Sequence, residues 1–356
     1  MYDAIVAGHI CLDIIPSLSG SVALEPGRLV EAGPAVLSTG GAVSNTGQAL
    51  AKLGVKTRLM GKVGDDLFGR AVLELLGENG TGMVVTPGEP TSYTVVINLS
   101  GRDRTFIHAP GCNNTFTAND VPVQSFDGVK LFHFGYPPLM AKMFEDDGEE
   151  LLRLFRKAKD AEVTTSLDMT LPDPNSPAGK ANWRRILERV LPFVDIFAPS
   201  CDELSYMLGA QDPGDLADQC LEMGAGIAAV KCGDRGLLLR AGCLDYIGPA
   251  PWDLVPWYRA DLWAPAFKVD VAGTTGAGDA TIAGLLCGML NGQGPLTSAR
   301  MAVAAGAFCC EAPDATSGLP TGATLLDRLM DPHWERLAGP GEGWLKLASG
   351  EYARRF

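Results

Sequence analysis

The sequence has no excess of positive charge. Its 356 residues include 29 Lys and Arg against 42 Asp and Glu, which gives a formal net charge of −13. A chain without a basic stripe is a poor binder of nucleic acid or of an anionic membrane surface. A small anionic ligand is compatible with this charge, because local backbone dipoles can hold a phosphate. We therefore expect neither nucleic acid nor a membrane as a partner.

Long apolar runs and closely spaced cysteine pairs are also missing. No apolar run reaches the roughly 18 residues of a membrane-spanning helix, and the first 16 residues lack the basic segment of a signal peptide. The nine cysteines are scattered, and no two of them form a CxxC pair. Cys309 and Cys310 are adjacent on a predicted helix, which suits packing better than chelation. This pattern is typical of a reduced cytoplasmic protein, not of a disulfide framework or a zinc site.

Short β-rich runs alternate with helical patterns along nearly the whole chain. Residues 4–8, 130–135 and 227–233 have the character of buried strands, and residues 148–162 have that of a helix. Such alternation predicts an α/β protein in which a mostly parallel sheet is covered by helices on both faces.

Three segments interrupt this rhythm. Residues 16–36 are rich in Gly, Ser and Pro, and residues 92–111 alternate apolar and polar residues around SGRD, which predicts a β-hairpin. We interpret both as a small β-sheet lid over the edge of the main sheet; the alternative is two plain surface loops. The Pro-rich, aromatic segment 245–268 either covers part of a nucleotide site or packs on the surface. Beyond residue 319 we expect a terminal helix and coil.

The segment GTTGAGDATIAGLL, residues 273–286, carries the clearest chemical signal. Its glycines leave backbone N–H groups uncovered where a helix begins, and a helix N-terminus attracts anions. Asp279 lies in the first turn of this helix, beside the anion site. A carboxylate next to an anion pocket favours phosphoryl transfer, in which Asp279 accepts the proton of an attacking hydroxyl group. The alternative is a capping Asp in a Gly-rich turn.

Two distant motifs resemble the signatures of the PfkB carbohydrate kinase family, the ribokinase-like kinases. The loop at 273–279, followed by an AG-rich helix, resembles the C-terminal signature; STGGAVSNTGQALAKLG at 38–54 and GKVGDDLFGR at 61–70 resemble the N-terminal one. The resemblance extends from GHICLD near the start to residue 318. The P-loop, the dinucleotide fingerprint and the protein-kinase motifs are absent from the sequence.

The resemblance implies a fold and an activity. The fold is a ribokinase-like three-layer αβα sandwich with a mostly parallel central sheet and a small β-sheet lid. One kinase domain would span residues 1–330, with lid segments at about 12–37 and 90–116, followed by a tail at 331–356. The activity is ATP- and Mg²⁺-dependent phosphorylation of a sugar or polyol. Lid exchange between two subunits is a habit of the family, so a homodimer is an expectation.

The resemblance also implies roles for individual residues. Asp279 is the catalytic base, and the backbone of Gly276, Ala277 and Gly278 forms the anion hole. The substrate-binding residues are Asp13, Gly40, Gly41, Asn45 and, in a GxN turn, Asn113 with Asn114 beside it. The nucleotide-binding residues are Lys231, Gly233, Gly236, Thr275, Ser200 and Gly318. Glu203 organises the metal-bound phosphates through water.

Several positions depart from the family pattern. Ser200 stands where the family has Asn, and Lys231 where it has Thr. Gly273 replaces an Asp that helps to coordinate potassium in ribokinase-type members, which makes a monovalent cation doubtful. Cys11 and Gly135 replace two polar sugar ligands of ribokinase, which argues against a small polyol such as ribose.

The substrate stays open at this point. A hexose, a cyclitol and a nucleoside all fit a larger site, and Arg102 with Arg104 in the lid turn would be the clamp for a phosphosugar. The leading interpretation is a kinase of an unphosphorylated sugar or polyol. The alternatives are a nucleoside kinase of the same fold and a non-catalytic sugar or nucleotide sensor.

Overall fold

Strands and helices alternate in the computed structural model of the protein, which describes residues 1–18, 26–98, 104–242, 244, 250 and 252–354. The strands are β1 Ala4–Gly8, β2 Cys11–Ser17, β3 Gly33–Gly40, β4 Thr57–Met60, β5 Lys62–Gly64, β6 Val84–Thr86, β7 Tyr93–Ile97, β8 Thr105–Ala109, β9 Leu131–Gly135, β10 Thr164–Leu167, β11 Ile196–Phe197, β12 Ile227–Lys231, β13 Leu237–Ala241, β14 Asp261–Ala264, β15 Leu345–Lys346 and β16 Tyr352–Ala353. The helices are α1 Ala42–Lys52, α2 Leu67–Leu76, α3 Ala141–Phe144, α4 Glu149–Asp160, α5 Trp183–Val190, α6 Cys201–Leu208, α7 Pro213–Glu222, α8 Ala277–Leu290, α9 Pro295–Cys310 and α10 Gly322–Leu329. The predicted α/β class is confirmed.

The largest sheet has the strand order β15-β16-β14-β13-β12-β11-β10-β9-β1-β4. From β4 to β12 neighbouring strands pair in parallel, and from β12 to β15 they pair antiparallel. Parallel strands need crossover connections, which the helices provide. The carboxyl ends of the parallel strands therefore meet at one edge of the sheet, where α/β proteins commonly bind ligands.

Alternate residues of each strand point to opposite faces of this sheet and divide the hydrophobic core in two. In β1, Ala4 and Val6 join a core with α1, α8 and α9, whereas Ile5 and Ala7 join a second core with α4, α5 and α7. The helices thus cover both faces, as the predicted three-layer arrangement requires. Among the described helices, none combines the length and the apolarity that a membrane crossing requires.

A separate four-stranded sheet forms the lid, with the order β3-β2-β7-β8. The antiparallel pairing of β7 with β8 confirms the predicted hairpin, whose turn at 99–103 lies outside the described residues. In the other lid segment, residues 19–25 also lie outside them. Only His9 and Ile10 separate β1 from the lid strand β2, so the lid is attached directly to a strand end of the main sheet.

Two parts of the chain differ from the sequence-based expectation. Segment 245–268 contributes β14 to the main sheet, and the tail, expected to be coil after its helix, adds β15 and β16. Aromatic and ionic contacts hold the tail in place: Phe267 stacks on Trp334 with ring centroids 3.7 Å apart, and Arg336 pairs with the buried Glu351. The division at residue 330 stays a prediction.

Candidate active site

Three small residues bring the start of α1 close to the strand ends of the main sheet. A Cβ on Gly8 would lie 2.3 Å from the carbonyl oxygen of Gly135, and one on Gly135 would lie 2.2 Å from the Cβ of Ala42. Side chains at either glycine would push β1, β9 and α1 apart. The close packing places the first turn of α1, with Asn45 and Thr46, at the ligand-binding edge of the sheet.

The N-terminus of α8 lies at the same edge. Gly276 is its N-cap, with φ 77°, a left-handed conformation that favours glycine. A Cβ there would also lie 2.5 Å from the Cβ of Ala315. Asp279 follows in the first turn and is buried, with 3% of its surface exposed. The backbone of residues 276–278 and the Asp279 carboxylate thus lie together at the start of α8, where the N–H of Ala277 donates to the carbonyl oxygen of Thr274 (3.3 Å).

Three donors hold the carboxylate of Asp279. Its Oδ1 accepts a hydrogen bond from the hydroxyl of Thr46 (2.9 Å), and its Oδ2 accepts one from Nδ2 of Asn45 (3.2 Å) and one from the hydroxyl of Tyr136 (2.7 Å). These donors come from α1 and from the residue after β9. The first α1 turn therefore orients Asp279, a contact that the resemblance did not imply for Asn45 or Thr46.

Tyr136 is a site residue that the sequence reasoning missed. Its backbone is left-handed, with φ 65°, which is uncommon for a residue other than glycine and is a known mark of functional sites. Burial, and then the Asp279 carboxylate, raise the pKa of its phenol well above the usual range, so the hydroxyl remains a donor. The only sequence signal was its place directly after a buried strand.

Asp13 begins a chain of polar contacts inside the lid. Its Oδ1 lies 3.3 Å from the thiol of Cys11, which lies 3.4 Å from the hydroxyl of Thr94, and that hydroxyl lies 3.0 Å from Nδ1 of His108. Burial raises the pKa of Asp13 to about 6. A Cβ on Gly40 would lie 2.3 Å from Oδ2 of Asp13, so the glycine gives the carboxylate its room.

Two histidines lie beside this series of polar contacts, and each has one ring nitrogen without a hydrogen-bond partner among the described residues. The ring centroids of His9 and His108 lie 5.0 Å apart, and His9 is stacked on Tyr136 at 6.2 Å. Burial lowers the pKa of both imidazoles, and for His9 the neighbouring His108 lowers it further. Nδ1 of His9 and Nε2 of His108 are buried without a hydrogen-bond partner among the described residues. Both rings are therefore neutral groups able to bond hydroxyl groups.

A buried ion pair lies beside Gly278. Nζ of Lys231 lies 2.7 Å from Oδ1 of Asp168, and a Cβ on Gly278 would lie 3.7 Å from the same Nζ. Burial alone would lower the pKa of Lys231, but the carboxylates of Asp168, Glu203 and Asp279 raise it above its ordinary value. Lys231 is thus a fixed cation beside residues 276–278. Asp168 was missed from the sequence, where it only ends a strand pattern.

Ser200 and Glu203 form the start of α6. The backbone N–H of Ser200 donates to Oε2 of Glu203 (2.6 Å), and the backbone N–H of Glu203 donates to the hydroxyl of Ser200 (3.2 Å). This capping box holds both side chains. A β-bridge between Ser200 and Lys231 joins the helix start to the end of β12.

One cleft connects the lid with the α8 loop. Its walls include Asp13, Thr39, Asn98, Arg104, Thr275 and Ala315. The structure therefore brings together the predicted sugar side and the predicted phosphoryl-transfer side.

The family model described as pfkB family carbohydrate kinase matches residues 1–322. The chain belongs to this family. Its reaction is the ATP-dependent phosphorylation of a sugar hydroxyl group. The comparisons do not favour a nucleoside kinase or a non-catalytic sensor.

Individual relatives agree with this assignment. The chain is 28% identical to fructokinase-1 of Zea mays over 332 residues, which cover 90% of this chain and 95% of that protein. A ribokinase structure from Thermotoga maritima matches with a TM-score of 0.72 at 20% identity, covering 92% of this chain and 99% of that one. A fructokinase structure with bound ATP from Xylella fastidiosa also has a TM-score of 0.72, at 21% identity, covering 92% and 98%. The two structures show the ribokinase-like fold.

Other predicted positions of this family member have mainly backbone or packing contacts. Nδ2 of the buried Asn113 donates to the carbonyl oxygen of Ile10 (2.8 Å), and Oδ1 of Asn114 accepts the N–H of Ala141 (3.0 Å). Gly318 packs against the end of α9, where a Cβ would lie 2.5 Å from the carbonyl oxygen of Phe308. Gly233 and Gly236 shape the turn after β12, with φ 59° and 104°. Arg102 lies outside the described residues.

Proposed function

We propose that this carbohydrate kinase phosphorylates an unphosphorylated six-carbon sugar, with fructose as the first candidate. The observation that carries the proposal is the Asp279 carboxylate, held by Asn45, Thr46 and Tyr136 beside the N-terminus of α8. A fixed carboxylate next to a helix N-terminus can support in-line transfer of a phosphoryl group to a hydroxyl group.

The proposed catalytic step uses few groups. Asp279 accepts the proton of the attacking sugar hydroxyl, and its three donors keep it aimed at that proton. The backbone N–H groups of Gly276 and Gly278 stabilise the charge on the transferring phosphoryl group, helped by the dipole of α8. The N–H of Ala277 joins them only by leaving the carbonyl oxygen of Thr274, to which it donates at 3.3 Å. Closure of the lid excludes water, which would otherwise accept the phosphoryl group.

The sugar is proposed to lie under the lid, against Asp13 and the Gly40–Gly41 segment, with Asn45 at the reacting end. Asp13, His9 and His108 supply acceptors and donors for its hydroxyl groups, and the two free imidazole nitrogens would find their partners there. The imidazoles are neutral, which suits a neutral sugar better than a phosphosugar. Cys11 and Gly135 in place of polar ligands speak against ribose, and the fructokinase relative supports a hexose.

ATP is proposed to lie along the turn from Lys231 to Gly236, with Ser200, Thr275 and Gly318 as further contacts. Lys231 would face the phosphates as a point charge. The accompanying magnesium ion neutralises phosphate charge when it is bound. The described residues contain no cluster of three or more metal-ligating side chains, and Glu203 already uses Oε2 in its capping box. Both facts favour a contact of Glu203 with the magnesium-bound phosphates through a water molecule.

The lid also supports a homodimer as part of the proposal. Its two edge strands expose apolar side chains: Val36 is 59% exposed, Phe106 56% and Ile107 57%. A second lid would cover this surface, and sedimentation analysis at several protein concentrations tests it.

The eight cysteines that the structure describes are free thiols, which supports the proposed reducing, cytoplasmic location.

The substrate is tested by ADP release from magnesium-ATP. Wild-type protein is given fructose and a panel of other hexoses, pentoses, cyclitols, sugar acids, phosphosugars and nucleosides. The proposal expects the highest kcat/KM with a neutral hexose, fructose first. A nucleoside, a phosphosugar or ribose as the best substrate would contradict it.

A further inference from the structure

The loop that precedes α8 lies against a cluster of carbonyl oxygens at the C-terminus of α9. The carbonyl of Cys310 accepts the N–H groups of Ala272 (2.8 Å) and Gly273 (3.2 Å). An ideal Cβ on Gly273 would lie 2.8 Å from the carbonyl oxygen of Ala312 and 3.1 Å from that of Pro313. Ala312 and Pro313 follow Glu311, the C-cap of α9. Backbone carbonyl oxygens are ligands of monovalent cations, so these two oxygens form a place that suits a positive charge.

The residues here do not fit the monovalent cation that the family resemblance implies. In ribokinase-type members the carboxylate of an Asp at the position of Gly273 helps to coordinate that cation, and this chain has glycine there. The same ideal Cβ on Gly273 would lie 2.9 Å from Nη2 of Arg104. A guanidinium group therefore lies where a side chain at position 273 would begin.

Arg104 belongs to the lid, one residue before β8, and is only partly exposed. Within the described part of the chain it has no ion pair and no hydrogen bond to a carboxylate. Its positive charge nevertheless acts on the end of α9: burial raises the pKa of the Cys310 thiol, and Arg104 works against that rise. The guanidinium is thus close to the carbonyl cluster and is not neutralised by an acid.

We propose that the guanidinium of Arg104 takes the place of the monovalent cation and links the lid to the catalytic loop. When the lid is closed, its charge balances the carbonyl oxygens of Ala312 and Pro313 and steadies residues 273–279. Arg104 is then a positioning residue that acts through the anion hole. The predicted effect of Arg104 on kcat rests on the proposed phosphoryl transfer. The inference that its guanidinium replaces the cation does not rest on it.

A second reading is an anion clamp. Arg104 lines the same cleft as Asp13, so it could instead bind a carboxylate or phosphate on the substrate. The two readings differ in kinetics: a substrate contact changes the KM for the sugar, whereas a steadied loop changes kcat. They also differ in cation dependence, which an anion clamp does not have.

The test compares the wild type with Arg104→Ala and Arg104→Lys in equal concentrations of sodium or potassium chloride. The matched control is Arg185→Ala, an exposed arginine whose only ion pair is with Asp147 in the described chain. Wild type and control should turn over equally in both salts. We expect Arg104→Ala to lower kcat on the order of 10- to 100-fold, because small misplacements of a catalytic loop have effects of this size. Potassium or millimolar guanidinium, but not sodium, should restore part of the kcat that Arg104→Ala loses. The Arg104→Lys variant should keep most of the wild-type kcat.

Thermal unfolding provides a readout that needs no substrate. Potassium or guanidinium at the same low concentration should raise the Tm of Arg104→Ala and leave the Tm of the wild type unchanged relative to sodium. This result would stand even if the proposed sugar proved wrong. Three outcomes would overturn the proposal: a wild type that requires potassium, a variant that no cation rescues in kcat or in Tm, or a rise in the KM for the sugar at unchanged kcat.

Discussion

The phenol oxygen of Tyr136 lies 2.7 Å from Oδ2 of Asp279, although the two residues are 143 positions apart. The contact joins the residue after strand β9 to the first turn of α8. It is one of three hydrogen bonds to the same carboxylate, and all three donors come from the opposite wall of the site. The orientation of the proposed base is therefore set by the start of α1 and by one left-handed tyrosine.

Removing the Tyr136 hydroxyl should impair turnover. A hydrogen bond to a charged group contributes about 1.5–3 kcal/mol, so we expect Tyr136→Phe to lower kcat by roughly 10- to 100-fold if the bond persists in the transition state. The KM for ATP should change little. Steady-state kinetics measure both. The matched control is Tyr206→Phe, whose hydroxyl donates to Gly179 away from the site; equal rates in the two variants would contradict the role.

Sugar use should depend on the ionisation of Asp13. Burial raises its pKa to about 6, so in the free enzyme the carboxylate is ionised above that pH and protonated below it. The ionised form accepts hydrogen bonds from sugar hydroxyl groups, and kcat/KM for the sugar should therefore fall as the pH drops through about 6. Burial lowers the pKa of both His9 and His108, and that of His9 well below its usual range, so both imidazoles gain a proton less readily than a free one as the pH falls.

The control for this pH dependence is Asp13→Asn. The amide keeps one acceptor but cannot ionise. The value of kcat/KM for the sugar should therefore be low and nearly constant between about pH 5 and 8, the range in which a group with a pKa near 6 titrates. A fall through the same pH in the variant would assign the titration to another group.

Lys231 should matter for both stability and ATP. Its ammonium and the Asp168 carboxylate are nearly buried, with side-chain exposures of 11% and 2%. Lys231→Met leaves a buried carboxylate without its partner, which typically costs about 3–5 kcal/mol of unfolding free energy. Denaturant unfolding measures this loss, and ATP titration should show a higher KM.

The double variant Lys231→Met with Asp168→Asn separates the two effects. Stability should recover in part because the buried charge is gone, whereas the KM for ATP should stay high. If the single variant is as stable as the wild type and has the same KM for ATP, Lys231 has neither role.

Much of the fold follows from local patterns in the sequence. Parallel strands such as β1, β9 and β12 are short apolar runs, and the lid hairpin shows a clear two-residue alternation. The strand β14 is not predicted from the sequence because its four residues lie in a segment dominated by Pro and Trp. The two-residue strands β15 and β16 carry no periodicity at all, and tertiary contacts place them.

The residues of the site also fall into two groups, those that a local sequence pattern reveals and those that it does not. The Gly-rich start of α8 and the position of Asp279 can be read from the sequence, because glycines and an acid at a helix start are a local arrangement; the anion hole itself stays a prediction. Tyr136 and Asp168 act through contacts with residues far away in the chain, which no local pattern records. For Asn113 the resemblance implies a substrate contact, which stays a prediction; the structure adds a bond of its side chain to the backbone of Ile10, which the sequence did not reveal.

The most direct test of the account is the turnover of Asp279→Asn with the best sugar from the panel. The amide keeps the size of the side chain but cannot accept the proton, so kcat should fall by a factor on the order of 10² to 10⁴. Binding of the sugar and of ATP, measured by calorimetry, should stay close to that of the wild type. A variant with unchanged kcat would remove Asp279 from the role of base and contradict the proposed mechanism.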